Sequence, residues 1–270
     1  MTERTVSLLG MGAIGQSILA QMARSPIDGF RIKAVCARPP QIDLLSRTYP
    51  DILFVDDIAG LLADPADVIV EAAGQSAVAE FGNILLESCQ ELQLLSVGAL
   101  ADDVLRDTLR ATAARCGARI ILPAGALAGL DGLRAIRNLD HCVVRYVSRK
   151  PPAAWAGTPA ETLCALDHLT VATEFFRGTA RDAARLFPKN ANLAATVALA
   201  GVGFDRTEVA LVADPDIADN IGRLEAHAIG AAFHVETVGH GFSDNPKSSR
   251  ITGMSVIAAL TNSNDVLSFG

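Results

Sequence analysis

The sequence has few aromatic residues and no closely spaced cysteine pair. Aromatic side chains make up 5% of the 270 residues, and tryptophan occurs once, at Trp155. The five cysteines are scattered and never spaced as Cys-x-x-Cys, so we expect reduced thiols, no disulfides and no metal site. With few aromatic rings available, the core must be built mainly from Ala, Val, Leu and Ile. Such a core favours a parallel sheet covered by helices.

Long apolar runs and a surplus of positive charge are also missing. No stretch approaches the roughly 20 apolar residues that a membrane helix requires, and the first residues do not have the pattern of a secretion signal. The net charge of −7 disfavours nucleic acid and anionic membranes, because both are bound by clustered Lys and Arg. We therefore expect a cytoplasmic protein whose partner is a small molecule, with no nucleic acid and no membrane.

The first 123 residues contain a repeated alternation of short apolar runs and helical patterns. Because strand and helix follow each other in this way, the segment 1–123 predicts a doubly wound parallel sheet, an α/β architecture. Residues 124–245 have a different texture and predict a second, α+β domain. Residues 246–270 predict a helix that packs back on the first domain. The predicted strands of the first domain are Thr5–Leu9, Arg31–Ala37, Asp67–Ala72, Gln93–Val97 and Arg119–Leu122.

A glycine-rich loop follows the first predicted strand and opens the first predicted helix. Its sequence is Gly10-Met-Gly12-Ala13-Ile14-Gly15. Gly10 permits a tight turn, Gly12 lets a pyrophosphate approach the backbone, and Gly15 allows close packing of helix on strand. Ala13 and Ile14 lie at the helix N-terminus, where backbone N–H groups point at the phosphates. The loop and its context predict a Rossmann domain that binds NAD or NADP.

Four further segments carry a resemblance to a known family. They are Ser96-Val-Gly-Ala-Leu-Ala-Asp102, Leu122-Pro-Ala-Gly-Ala-Leu-Ala-Gly-Leu-Asp-Gly132, Phe187-Pro-Lys-Asn-Ala-Asn192 and Asn245-Pro-Lys-Ser-Ser249. In the order and spacing of these segments the chain resembles the L-aspartate dehydrogenases. That resemblance implies NAD(P)-linked conversion of L-aspartate to iminoaspartate, or its reverse, as in NAD biosynthesis, by a homodimer.

The resemblance also implies that Ala124 and Asn190 contact the cofactor. Ala124 follows the fifth predicted strand, at the edge where ligands bind in such sheets, and its small side chain leaves room for a nicotinamide ring. The Asn190 amide suits a carboxamide or a ribose hydroxyl, since it both donates and accepts. Lys189 and Asn192, at the opening of the same predicted helix, are candidates for substrate binding. The alternatives are helix capping by the asparagines and a solvated surface position for the lysine.

The chain departs from the resemblance at the general base. The resemblance implies a histidine in an Asn-x-His stretch that follows Asp-Pro, but the matching residues are Asp214-Pro215 and Asn220-Ile221-Gly222. Three explanations stay open. Another histidine has taken over, the reaction differs (imine reduction can draw its proton from water or lysine), or the chain is a catalytically weak NAD(P)-binding protein. A related reductase with another substrate, such as a homoserine dehydrogenase or a dihydrodipicolinate reductase, is the rival enzyme class.

His240 is our candidate for the relocated base. If a hairpin turns at Gly230, residue 222 pairs with residue 238. His240 is then a diagonal neighbour on the same face, roughly 7–8 Å away. His227 stands five residues after Gly222 on the same predicted strand, so its side chain points to the opposite face. A shift of one residue in the pairing would move His240 to the wrong face as well.

Arg38 generates a prediction about the choice between the two cofactors. The second predicted strand ends in Val35-Cys36-Ala37-Arg38, without the acidic residue that binds ribose hydroxyls in NAD-specific sites. A guanidinium is well shaped for a 2′-phosphate, so we expect the site to accept NADP, alone or alongside NAD; the alternative is that Arg38 is a solvated loop residue. The measurement is KM for each cofactor in the wild type and in Arg38→Ala. A strong preference for NAD that Arg38→Ala leaves unchanged would contradict the prediction.

Overall fold

The computed structural model describes residues 3–188, 190–241 and 249–267. The chain forms two compact units. One comprises the residues up to Gly125 together with those from Thr252 onward, and the other comprises Ala126–Ile251. Among the helices within these described ranges, none has the length and apolar character needed to cross a membrane.

The first unit is built on a six-stranded parallel sheet in the order β3-β2-β1-β4-β5-β6. The predicted Rossmann sheet is therefore confirmed. The sequence prediction missed one strand, β3, because it is only three residues long and lies at the edge of the sheet, where burial imposes little pattern. The strands are β1 (Arg4–Leu9), β2 (Phe30–Cys36), β3 (Leu53–Val55), β4 (Val68–Glu71), β5 (Glu91–Leu94) and β6 (Arg119–Ile121).

Helices cover this sheet and bury its aliphatic strands. Val6 and Leu8 of the central strand share one apolar cluster with Ile18 of the first helix and with Val256 and Leu260 near the end of the chain. These side chains are at most 1% exposed, so the last helix contributes to the core of the first unit. The helices are α1 (Ala13–Arg24), α2 (Pro39–Thr48), α3 (Ile58–Leu62), α4 (Gln75–Ser88), α5 (Asp103–Cys116) and α10 (Arg250–Asn264).

The second unit contains a five-stranded mixed sheet in the order β11-β10-β7-β9-β8. The β7–β9 pair is parallel and the other pairs are antiparallel, which confirms the predicted α+β domain. The strands are β7 (Val143–Lys150), β8 (Thr173–Thr179), β9 (Thr207–Ala213), β10 (Asn220–Ala228) and β11 (Ala231–Gly239). The helices are α6 (Leu130–Ile136), α7 (Ala160–Leu163), α8 (Ala180–Leu186) and α9 (Asn192–Ala200).

The register of the β10–β11 hairpin differs from the prediction by one residue. Ala228 pairs with Ala231 across a two-residue turn, so Gly222 lies opposite Thr237 rather than residue 238. The predicted turn was centred on Gly230, whereas the observed turn is centred between Ile229 and Gly230. Since side chains alternate between faces along a strand, this shift reverses the face, relative to Gly222, that the predicted pairing assigned to the residues of β11 and to His240.

Candidate cofactor and substrate site

The glycine loop is held by two close approaches of backbone to backbone. Gly10 has φ of +102°, and a Cβ atom added there would lie 2.7 Å from backbone atoms of Ala72 and Ala73. At Gly15 an added Cβ would lie 2.2 Å from the Gly10 carbonyl oxygen. Neither position tolerates a side chain. Gly10 therefore forms the turn after β1, and Gly15 lets α1 start close to that strand.

Gly12 differs from these two glycines because it faces open space. It is exposed and its φ is −75°, and no heavy atom lies within 4 Å of the position that a Cβ would take. It precedes α1, whose N-terminus has no side-chain cap. Ala13 and Ile14, the first two residues of α1, are partly buried beside it. The loop thus offers uncapped helix N–H groups beside an unobstructed backbone, an arrangement suited to a pyrophosphate.

The glycine loop lies where the strand order of the sheet reverses. Starting from β1, the chain first builds the sheet in one direction through β2 and β3, then in the other through β4, β5 and β6. Ligands of doubly wound sheets bind outside the carboxyl ends of the strands at this point. The residues that end the two central strands, Leu9 of β1 and Glu71 of β4, are register partners there.

Glu71 is a buried carboxylate at this edge of the sheet. Its side chain is 0% exposed, and it accepts hydrogen bonds from the Ala73 and Gly74 amides and from the amide and hydroxyl of Ser96. Burial raises the pKa of the carboxyl group, while the hydrogen bonds from Gly74 and Ser96 oppose the rise. Glu71 therefore connects the loop after β4 to the loop after β5 at this edge of the sheet.

Two other predicted cofactor residues follow strands of the same sheet. Arg38 follows β2; it is exposed and precedes α2 in extended conformation, so its guanidinium is accessible to solvent. Ala124 lies beyond β6 and is partly buried. The next residue, Gly125, has φ of +65° and donates its N–H to Ser255 Oγ at 3.0 Å. The roles predicted for Arg38 and Ala124 stay predictions.

In the second unit, Asn190 carries an unsatisfied buried oxygen. The residue is 7% exposed. Its Nδ2 donates to the Ala154 carbonyl at 3.5 Å, and its Oδ1 has no hydrogen-bond partner in the part of the chain that the structure describes. Asn192 is the first residue of α9 and Ala191 is the N-cap, so neither asparagine occupies the N-cap position. Lys189 lies outside the described residues.

Polar side chains occupy a row on the buried face of β7. Tyr146, Ser148 and Lys150 alternate along the strand and are at most 7% exposed. The Tyr146 hydroxyl has no hydrogen-bond partner among the residues described. Burial raises the pKa of the Tyr146 phenol, and the nearby Ser148 hydroxyl opposes that rise. Lys150 Nζ lies 5.3 Å from the centre of the Trp155 ring.

The same row adjoins the residue at which the expected histidine is missing. Gly222 pairs with Ser148 on β7 and Thr237 on β11. A Cβ atom at Gly222 would lie 2.9 Å from Tyr146 Oη and 3.2 Å from Thr237 Oγ1. The space beside residue 222 is therefore taken by two hydroxyl groups, one of which, on Tyr146, is unpartnered.

His240 does not lie on the face that we predicted. The corrected register pairs Gly239 with Asn220 and brings His240 level with Asp219, whose Oδ1 lies 2.7 Å from His240 Nδ1. The imidazole is 78% exposed, and the alternation of side chains places it opposite to Gly222. The geometric argument for His240 was therefore wrong. His227, exposed on β10, also faces away from Gly222, as predicted.

Comparison with known proteins identifies the family. The model for the C-terminal region of aspartate dehydrogenase matches residues 131–263, and the model for the NAD-binding domain of homoserine dehydrogenase matches residues 10–123. The L-aspartate dehydrogenase of Cupriavidus necator is 41% identical over 260 residues, covering 95% of this chain and 96% of that protein. The chain belongs to the L-aspartate dehydrogenase family.

Further relatives of this family extend the match. L-aspartate dehydrogenase 2 of Bordetella bronchiseptica is 39% identical over 268 residues, covering 96% of both chains. The crystal structure of the aspartate dehydrogenase from Thermotoga maritima superposes with a TM-score of 0.76 at 26% identity, covering 99% of this chain and 100% of that one. The predicted resemblance is thereby confirmed.

The family cofactor, NAD or NADP, fits the residues of this chain. The open space above Gly12 accommodates a pyrophosphate against the backbone. The buried Oδ1 of Asn190 lacks a donor, and a carboxamide or a ribose hydroxyl would supply one. Burying a polar atom without a partner costs free energy, so a ligand that donates to this oxygen would remove that cost.

Sequence reasoning missed two groups of buried polar residues in this aspartate dehydrogenase family member, one in each unit. Glu71 was treated as the end of a strand, although an acid that closes an apolar run just before Gly74 was a usable signal. The polar row of β7 was also visible, as polar residues alternating within a predicted strand. The partners of both groups are distant in sequence, so no local pattern showed that they are buried.

Gly12 generates a test of the loop that separates binding from stability. We expect Gly12→Val to leave the melting temperature unchanged, because nothing lies near the new side chain. We expect it to raise the Kd of the cofactor at least about tenfold, since the added side chain would occupy the approach of the pyrophosphate. Calorimetric titration and thermal unfolding measure the two effects.

The matched control is Gly15→Ala. Its Cβ would collide with the Gly10 carbonyl, so this variant should lose thermal stability as well as affinity. Unchanged cofactor affinity in Gly12→Val would show that the pyrophosphate does not bind at this loop.

Proposed function

We propose that this chain is an NAD(P)-dependent L-aspartate dehydrogenase, which interconverts L-aspartate with iminoaspartate and hence with oxaloacetate and ammonia. The observation that carries the proposal is the unobstructed glycine loop at the reversal point of a parallel sheet. The same chain carries a second unit that matches the model for the C-terminal region of aspartate dehydrogenase, and relatives that match nearly the whole chain are L-aspartate dehydrogenases. The nicotinamide ring, when bound, accepts or gives the hydride.

The residues of this chain would divide the binding of cofactor and substrate between them. The first N–H groups of α1, at Ala13 and Ile14, would hold the pyrophosphate, and Ala124 would leave room for the ring. The Asn190 Oδ1 would accept a hydrogen bond from the carboxamide or a ribose hydroxyl. Lys189 and Asn192 are the proposed substrate contacts, because a cation and an amide both bind carboxylates.

The proton required at nitrogen would come from Tyr146. In the reductive direction the imine carbon gains a hydride and the imine nitrogen gains a proton, which together give the amine. Tyr146 Oη, beside Gly222, carries a proton and has no partner to hold it. Burial raises the pKa of this phenol and so makes it a weaker acid, while the Ser148 hydroxyl opposes that rise. Ser148 would therefore stabilise the phenolate left after the transfer, and water would restore the proton afterwards.

A second candidate function is binding of NAD(P) without appreciable turnover. The observation that favours it is the absence of an imidazole beside Gly222 among the described residues, since His240 and His227 both lie on the other face. Such a chain would keep the glycine loop and Asn190 and lose the chemistry.

One assay separates the two candidates. Purified protein is given NADH or NADPH with oxaloacetate and ammonia, and cofactor oxidation is followed by absorbance. We expect turnover at a rate in the usual enzymatic range, roughly 1–1000 per second. Gly12→Val at the same cofactor concentration is the negative control. Absence of turnover in a preparation that binds the cofactor would favour the non-catalytic function.

Tyr146→Phe tests the proton donor. The change removes only the hydroxyl, and since that hydroxyl has no partner, the melting temperature should be unchanged or slightly higher. Loss of a positioned proton donor should lower kcat about a hundredfold, with the Kd of the cofactor unchanged. Steady-state kinetics, calorimetry and thermal unfolding report the three quantities.

A second variant restores the imidazole that the resemblance implies. In Tyr146→Phe the nearer of the two hydroxyl groups that crowd a Cβ at residue 222 is gone, which leaves Thr237 Oγ1 at 3.2 Å. Adding Gly222→His to Tyr146→Phe should therefore recover activity, with a new inflexion in the pH profile near the ordinary histidine pKa of about 6.5. Full activity of Tyr146→Phe alone would eliminate the phenol as donor.

A further inference from the structure

Glu71 stands where three strand ends of the first sheet meet. It is the last residue of β4 and pairs with Leu9, the last residue of β1, and with Leu94, the last residue of β5. Its side chain is 0% exposed, at the edge of the sheet where the strand order reverses. A carboxylate is costly to bury, and it is retained only where donors surround it.

Donors from two different loops surround both oxygens of this carboxylate. Oε1 accepts the Ala73 amide at 2.8 Å, the Gly74 amide at 2.8 Å and the Ser96 hydroxyl at 2.9 Å. Oε2 accepts the Ser96 amide at 3.0 Å. The side chain therefore ties the loop after β4 to the loop after β5, through charge-assisted hydrogen bonds that are stronger than neutral ones.

The loop after β4 is in turn packed against the glycine loop. Backbone atoms of Ala72 and Ala73 lie 2.7 Å from the position of a Gly10 Cβ, and the Ala72 amide donates to the Leu9 carbonyl at 2.8 Å. Because no side chain separates the two loops, a displacement of residues 72–74 would move the turn at Gly10.

We propose that Glu71 is a positioning residue of the cofactor site. Through its four hydrogen bonds it fixes residues 72–74, and these fix the turn at Gly10 from which the pyrophosphate-binding backbone follows. Ser96 is held by the same carboxylate, so the loops after β1, β4 and β5 share one anchor. The proposal rests on the proposed function only in requiring that a dinucleotide binds at this edge. Glu71 acts through the backbone without touching the ligand.

The sheet offers a matched control for this role. Glu91 is also a buried carboxylate, 4% exposed, but it begins β5 and so lies at the opposite edge of the sheet. It accepts from Gln93 Nε2 at 2.8 Å and pairs with Arg4 at 3.5 Å. Replacing either acid removes a buried charge from the same sheet, whereas only Glu71 borders the glycine loop.

The experiment compares Glu71→Gln with Glu91→Gln. An amide at residue 71 keeps one acceptor oxygen but turns an N–H donor toward either the Ser96 amide or the donors of residues 73 and 74. We expect Glu71→Gln to raise the Kd of NADH or NADPH by about tenfold or more. We also expect a higher KM for the cofactor, with kcat at saturating cofactor largely retained. Glu91→Gln should lower the melting temperature with an unchanged Kd.

Each outcome decides the proposal. Equal losses of melting temperature in the two variants with unchanged Kd values would overturn it, because Glu71 would then be structural only. If Glu71→Gln does not fold, Ser96→Ala removes a single donor, and it must still raise the Kd, by about threefold, or the proposal fails. Calorimetry reads binding without turnover, so an inactive wild type that binds cofactor contradicts only the aspartate assignment. A wild type that does not bind overturns both.

Discussion

The architecture of the cofactor site depends on direct backbone–backbone contacts, with no side chain between them, at the carboxyl edge of the first sheet. Gly10 admits no side chain because the loop after β4 lies against it. Gly15 admits none because the Gly10 carbonyl oxygen lies against it. These contacts set the start of α1 and leave Gly12 exposed to a ligand. The buried carboxylate of Glu71 accepts hydrogen bonds from the Ala73 and Gly74 amides of the opposing loop, and in the role proposed for it this acid fixes the position of that loop.

The second unit supplies a different kind of polar chemistry. The buried face of β7 carries Tyr146, Ser148 and Lys150 in place of aliphatic side chains, and Asn190 is buried with an oxygen that nothing described satisfies. Unpaired buried polar atoms destabilise a folded chain, and a ligand that forms hydrogen bonds with them would offset this cost. At Gly222, two hydroxyl groups occupy the space beside the backbone. The nearer of them belongs to Tyr146, the residue proposed to donate the proton in place of the implied histidine.

Local patterns predicted much of the fold, and nonlocal pairing accounts for what they missed. The spacing of Gly10, Gly12 and Gly15 is a local signal, so the loop, its strand and its helix were predictable together. Strand β3 was missed because three edge residues carry too little periodicity. The prediction for His240 was wrong because hairpin register depends on where the turn is centred, and an error of one residue reverses a face. The role of Glu71 depends on Ser96, 25 residues away, and no spacing rule connects them.

Hydrogen–deuterium exchange of the wild-type chain, with and without NADPH or NADH, tests the central claim most directly. If the dinucleotide binds where backbone meets backbone at the strand reversal, the cofactor should slow exchange in peptides that contain Gly10–Gly15, residues 72–74 and Ser96. Peptides of the exposed segment 265–267 should be unaffected. Protection that appears elsewhere and leaves Gly10–Gly15 unchanged would contradict this account of the cofactor site.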